Sequence, residues 1–187
     1  MELKGKTVLF LGSSVTYGSA AGGVSFADFL AEECGIKSIK EAVSGTTLVD
    51  INELSYISRL KKVEENEKVD LFICQLSTND AGQGFPLAKI EAAIRFIINY
   101  VREKFNCPIA FYTNPYFNNK NYKAMVDMLR NLAVELKFDI LNFFDDEEMK
   151  TVSEEDYKEF MADHIHPTLK GYKEWWTPKF ISFLNNI

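Results

Sequence analysis

Residues 6–18 read Lys6-Thr7-Val8-Leu9-Phe10-Leu11-Gly12-Ser13-Ser14-Val15-Thr16-Tyr17-Gly18, a short apolar run that ends in a turn of small residues. A run of this length, bounded by polar and turn residues, is the mark of a strand buried on both faces. The same pattern recurs at residues 69–76, 107–113 and 138–144, with a weaker fifth run at 39–43. Between the runs, Leu87, Ile90, Ile94, Ile97, Ile98, Val101 and Phe105 repeat at helical spacing, as do Tyr122, Met125, Val126, Leu129, Leu132 and Leu136. Further helices are expected over 25–34, from Thr47 towards Lys62, from Ser153 with Asp156 as a capping partner, and from Thr168 onward with a kink or restart at Thr177-Pro178. Strands alternating with helices specify a parallel sheet covered on both faces, because right-handed crossovers lay the helices there. The expected fold is therefore α/β: a three-layer α/β/α, flavodoxin-like sandwich of about five parallel strands in the order 2-1-3-4-5, forming one domain over residues 1–187.

Composition bounds the partners. The 187 residues are 47% hydrophobic and 26% charged, the balance of a chain that can bury its own core. Lys and Arg number 21 against 27 for Asp and Glu, a net charge of −6 that argues against nucleic acid or an anionic membrane as the main partner. The early apolar run is too short for a signal-peptide core, and no stretch approaches the ~20 residues of a membrane span. Cys34, Cys74 and Cys107 lie far apart and are odd in number, which fits reduced thiols and a cytoplasmic location. Cys74, inside an apolar strand, reads as a core thiol rather than a nucleophile.

Sheets of this kind bind ligands beyond the carboxyl ends of their strands, which directs attention to four loops. In the first, Ser14 falls at a strand-to-helix turn with its N–H near a helix start; capping that helix is the plainer use of such a serine. The second holds Ala42-Val43-Ser44-Gly45-Thr46-Thr47 and the third Leu76-Ser77-Thr78-Asn79-Asp80-Ala81-Gly82. Gly45 can offer a backbone N–H and Asn79 a side-chain amide, although turn formation explains either residue taken singly. Asp80 reads as a helix cap or a structural hydrogen-bond partner. A late segment, Asp163-His164-Ile165-His166-Pro167, contains both histidines of the chain. A histidine near neutral pH is the best base for a serine hydroxyl, and a carboxylate on its far ring nitrogen fixes the tautomer. Asp163 and His166, three residues apart, can meet across a turn, which would leave His164 facing elsewhere. Two histidines and one aspartate could also ligate a metal, but a closed site needs further ligands.

Taken together, the four loops resemble the SGNH (GDSL-like) hydrolase family, which is defined by four short blocks in fixed order. Gly12-Ser13-Ser14-Val15-Thr16-Tyr17-Gly18 is similar to its first block, Gly45 to its second, Thr78-Asn79-Asp80 to its third, and Asp163-His164-Ile165-His166-Pro167 to its last. The resemblance implies Ser14 as nucleophile, His166 as general base and then acid, and Asp163 orienting His166. It also implies an oxyanion hole made by the N–H groups of Ser14 and Gly45 and the amide of Asn79. The chain departs from the common pattern where Ser13 stands in place of Asp and Ser77 in place of Gly, and Ser13 leaves the register of the nucleophile open. The function implied is a serine esterase or acylhydrolase for small-molecule esters, without metal or cofactor. The short, lidless chain favours short acyl groups, acetyl on a carbohydrate foremost; lysophospholipase, thioesterase and a non-catalytic sugar- or phosphate-binding module are the alternatives. Ser13, Tyr17, Tyr116 and Phe117 are the candidate substrate contacts, the last two from the aromatic and amide-rich stretch at 113–119. Trp175 and Trp176 are expected in the core, and the acidic clusters at 145–148 and 154–156 on a solvated surface.

Overall fold

The computed structural model describes residues 2–64 and 67–187. Five parallel strands, β1 (Thr7–Gly12), β2 (Lys37–Ala42), β3 (Leu71–Gln75), β4 (Ile109–Tyr112) and β5 (Asp139–Leu141), form one sheet in the order β2-β1-β3-β4-β5. Register is set by apolar partners on adjacent strands: Leu9 lies beside Ile39, Phe10 beside Ile73, and Cys74 beside Phe111. The direction of winding reverses between β1 and β3, and the crevice at such a reversal is where open α/β sheets place their sites.

Alternation along the strands divides the core into two layers. Leu9, Leu11, Phe72, Cys74 and Phe111 face the layer that contains α3 (Tyr56–Leu60), α5 (Leu87–Lys104) and α6 (Lys120–Leu136). Val8, Phe10, Ile73, Ala110 and Tyr112 face α2 (Phe26–Cys34) and the C-terminal helix. In that second layer the rings of Phe26 and Phe180 stack 4.0 Å apart, and Tyr112 and Trp176 meet them edge-on or face-on. Trp176 is fully buried and Trp175 nearly so, as expected of core residues.

Several local expectations need adjustment. The helix expected from Thr47 towards Lys62 is confined to α3, because residues 48–55 make other hydrogen bonds. Asp80 accepts from Leu48 N (2.8 Å) and Val49 N (3.0 Å), and Ser55 Oγ accepts from Ile51 N (3.0 Å). Strand β5 stops at Leu141, and Phe143–Asp145 form a 3₁₀ turn. The helix start expected at Ser14 is a single turn, α1 (Ser14–Tyr17), and the third loop forms a short helix, α4 (Thr78–Gln83), capped by Ser77 rather than by Asp80. At Ser25 a complete capping box with Asp28 starts α2. The acidic run at 145–148 is not simply solvated: Asp145 pairs with Arg130, and Asp146 caps α7 (Glu147–Thr151) while binding Lys179 at 2.8 Å.

The C-terminal helix passes the Thr177-Pro178 position without a break. It widens into a π-helical segment (Gly171–Trp176) that continues into α9 (Thr177–Leu184). The Thr177 N–H and hydroxyl both reach the carbonyl of Tyr172, and Pro178, which lacks an N–H, falls in the first turn of α9, where none is needed. Just upstream, α8 (Glu154–Phe160) crosses this helix so closely that a Cβ on Gly171 would lie 1.9 Å from the Phe160 carbonyl oxygen. Gly171→Ala is therefore expected to destabilise the fold by about 1–3 kcal/mol, read as a lower urea midpoint. A midpoint equal to that of wild type would show that this crossing is not tight.

Candidate active site

The site is assembled at the turn where β1 becomes α1. Gly12 ends the strand against Thr16 and Gln75, and a side chain there would overlap Thr16 Oγ1 at 1.7 Å. Ser13 is fully buried, and its N–H and hydroxyl donate to Gln75 Oε1 (2.9 and 3.2 Å). Thr16 Oγ1 donates to the same oxygen at 3.0 Å, and Tyr172 OH donates to the Val15 carbonyl at 2.7 Å. With Ser13 and Thr16 turned inward, Ser14 presents its hydroxyl on the opposite side of the turn. Of the two serines, Ser14 is the one whose Oγ lies 2.8 Å from His166 Nε2. Ser13 belongs to the scaffold beneath the turn and has no surface to offer a substrate.

His166 is held from its other nitrogen. Nδ1 lies 2.8 Å from Asp163 Oδ2, while Asp163 Oδ1 accepts from the N–H groups of Ile165 and His166, both at 2.7 Å. Burial raises the Asp163 pKa, but the bonds from the His166 ring and from these two N–H groups outweigh it and hold the carboxyl below its usual range. The turn is fastened to the sheet by Asn114 Nδ2, which donates to Ile165 O at 2.7 Å. His164 points away from Ser14 and faces the ring of Tyr157, 6.3 Å between centroids.

Gly45 adopts φ +78°, and a Cβ there would meet nothing within 4 Å. Among the described residues, neither the Ser14 nor the Gly45 N–H has a hydrogen-bond acceptor. Asn79 Nδ2 spends one hydrogen on Thr46 O at 2.8 Å and keeps the other. A serine hydroxyl on an imidazole, backed by a carboxylate and flanked by uncommitted donors, can attack a carbonyl and hold the negative charge that results.

Sequence reading missed what braces these loops. Arg59, on α3 and buried, donates to the carbonyls of Leu54 (2.8 Å), Gly12 (2.8 Å) and Glu41, and to Thr46 Oγ1 (3.2 Å). It makes no ion pair with a described carboxylate, and burial lowers its pKa. One guanidinium thus ties the ends of β1 and β2 to the residue after Gly45. Buried Asp80, whose pKa burial raises against the hydrogen bonds from Val49, Ser77 and Leu48, fixes the next part of the same loop to α4. No periodicity marks Arg59 in the sequence; only its place among Tyr56, Ile57 and Leu60 hints at it. Cys74 is fully buried, and burial pushes its thiol pKa well up, which suits an inert core residue.

Of the candidate substrate contacts, Tyr116 and Phe117 line a cavity of about 520 Å³ together with Met149, Val152, Tyr157 and His164. Neither Ser14 nor His166 forms its wall; the cavity meets the Asp163–His166 turn at His164. Tyr17 lies elsewhere, half-exposed, with Lys40 Nζ 5.9 Å from its ring centre. Among the described residues no group of three or more His, Cys, Asp or Glu side chains is arranged to hold a metal, and no helix is long and apolar enough to cross a membrane.

Ser14, His166 and Asp163 thus meet at the switch point of a three-layer α/β/α fold. The sequence profile of the GDSL-like lipase/acylhydrolase family matches residues 10–174, and the chain belongs to that family. No curated protein matches it. Among solved structures, a Lactobacillus plantarum protein is 18% identical, with a TM-score of 0.82 and 98% of each chain covered. A member of the lipolytic G-D-S-L family from Veillonella parvula is 14% identical, with a TM-score of 0.75, covering 97% of this chain and 100% of that one. A family two carbohydrate esterase from Clostridium thermocellum, solved with cellohexaose, is 15% identical with a TM-score of 0.73, covering 100% of this chain and 65% of that one. These likenesses establish the shared fold, and the family makes the protein an ester hydrolase.

Replacing Arg59 by Met removes the donors that its guanidinium gives to the Gly12, Glu41 and Leu54 carbonyls and to Thr46 Oγ1, leaving Gly12 O with only the longer bond from Val43 N–H (3.3 Å). The expected cost is about 2–3 kcal/mol in urea unfolding. Arg59→Lys should recover only part of it, since one ammonium cannot reach acceptors in several directions. Full recovery by lysine would mean that charge, not the fork of donors, braces the loops.

Proposed function

We propose that the protein is a serine esterase that removes short acyl groups, acetyl foremost, from a carbohydrate. The observation that carries this reading is His166 standing 2.8 Å from Ser14 Oγ on one side and 2.8 Å from Asp163 on the other. As Ser14 Oγ bonds to the ester carbon, its proton passes to His166 Nε2 and the carbonyl π pair moves onto oxygen. The N–H groups of Ser14 and Gly45 and the free hydrogen of Asn79 receive that oxyanion. Collapse breaks the bond to the alcohol oxygen, which takes the proton from His166. Water, deprotonated by the same imidazole, then attacks the acyl-enzyme and releases the acid by the reverse proton path.

The carbohydrate side of the reading draws on the fold shared with a carbohydrate esterase and on the aromatic cavity beside the catalytic turn. Three free thiols fit a reducing, cytoplasmic setting. A small-molecule ester is the partner, and the four roles need no cofactor.

Ser14→Ala is expected to abolish hydrolysis of p-nitrophenyl acetate while keeping the wild-type circular dichroism spectrum. Activity kept by this variant would sink the mechanism. Asn79→Ala should lower kcat by about 10²–10³-fold, and a change confined to KM would remove Asn79 from the oxyanion hole.

The lowered Asp163 pKa gives a further expectation with a definite sign. A carboxyl whose folded pKa is depressed adds stability above its unfolded value of about 3.9, and that stability is lost as the pH falls through the folded value. Wild type should therefore exceed Asp163→Asn in stability at neutral pH, with the gap closing only below about pH 4. A gap that closes between pH 5 and 7 would contradict the assignment.

A further inference from the structure

The cavity beside the catalytic turn lies on a definite side of the reaction. At the tetrahedral carbon four groups diverge: Ser14 Oγ, the oxyanion, the acyl substituent and the alcohol oxygen. The oxyanion donors follow β1, β2 and β3, on one half of the sheet. The alcohol oxygen must lie within reach of His166 Nε2, which protonates it. The cavity is walled by the segments that follow β4 and β5, on the other half, and it abuts the His166 turn through His164.

We propose that this cavity holds the alcohol half of the ester, and that the enzyme selects its substrates by that alcohol more than by the acyl chain; the proposal rests on the esterase reading above. Its volume of about 520 Å³ far exceeds the needs of an acetyl group and falls among pockets for ligands of drug size, roughly 300–1,000 Å³. Tyr116, Phe117 and Tyr157 supply flat apolar faces, Met149 and Val152 an apolar floor, and His164 and Asn118 hydrogen-bonding groups. The charges at its edge favour a neutral guest. Lys150 is engaged by Glu147 (3.1 Å) and Asp145 (3.6 Å), and exposed Lys158 is balanced by exposed Glu154. Flat apolar walls with a polar edge suit a ring that has apolar faces and a hydroxyl-bearing rim, which describes a neutral pyranose.

The test compares kcat/KM in two series on the purified protein. One varies the alcohol at fixed acetyl (methyl acetate against an acetylated methyl glucoside); the other varies the acyl chain at fixed alcohol (methyl acetate to methyl octanoate). Wild type should prefer the sugar acetate to methyl acetate by about tenfold or more. In Tyr157→Ala and in the cavity-filling Val152→Trp, that ratio should collapse towards one while the acyl-chain order stays as in wild type. Using two variants guards against one of them failing to fold. An unchanged alcohol ratio in folded variants overturns the proposal, and so does a change in acyl-chain order instead, which would make the cavity an acyl pocket. Hydrolysis of no ester by wild type overturns the esterase reading and this proposal together, an outcome distinct from either.

Discussion

The amide oxygen of Gln75 sits under the first turn and accepts three hydrogen bonds, from Ser13 N–H, Ser13 Oγ and Thr16 Oγ1. A strand that must end and a helix that must begin within one residue leaves backbone and hydroxyl donors buried at the switch point, where water cannot serve them. Gln75, at the end of the neighbouring strand, satisfies them from below. Once Ser13 and Thr16 are committed inward, Ser14 is the residue left on the outer side, and its placement follows from sheet register rather than from any contact of its own. Tyr112 adds to the same node from β4, its hydroxyl 2.6 Å from Thr16 Oγ1.

The remaining donors are positioned by the same logic from the other side. Arg59 grips the ends of β1 and β2, Thr46 joins that grip to Asn79, and Asp80 anchors the chain beyond Thr47. Three loops separated widely in sequence are thereby tied to one another by hydrogen bonds, the kind of fixed arrangement that an oxyanion hole of the proposed sort would need. The Asp163–His166 turn is a separate unit. It carries its own internal bonds and touches the sheet through Asn114, so His166 is oriented independently of the loops that carry Gly45 and Asn79.

Much of this was legible in the residues. Buried parallel strands announce themselves as unbroken apolar runs, and the long amphipathic faces of α5 and α6 are plain in their spacing. Ser14, Gly45 and Asn79 each read as cap or turn residues when taken singly; what marks them, with Asp163 and His166, is the fixed order of four short blocks that resembles a known family. What escaped has a common cause. Gln75 was hidden in an apolar run and Arg59 in a helix turn, and the bonds that tie each of them to the first turn span 47 to 62 residues. The short α3 was overextended because Asp80 and Ser55, not local preference, decide where residues 48–55 bond. The cavity walls on α7, on α8 and between them escaped because Met149, Val152 and Tyr157 are scattered among charged residues with no regular apolar spacing.

The central claim is that Ser14 is a nucleophile activated by His166 within this scaffold. Labelling with an alkyl fluorophosphonate, followed by peptide mass spectrometry, reads it directly, because the reagent bonds only to an activated serine and stays there. The account predicts a single adduct on the peptide that contains Ser13 and Ser14, located by fragmentation at Ser14 and lost in His166→Ala. An adduct at Ser13, labelling that persists without His166, or no adduct on the folded protein would contradict it.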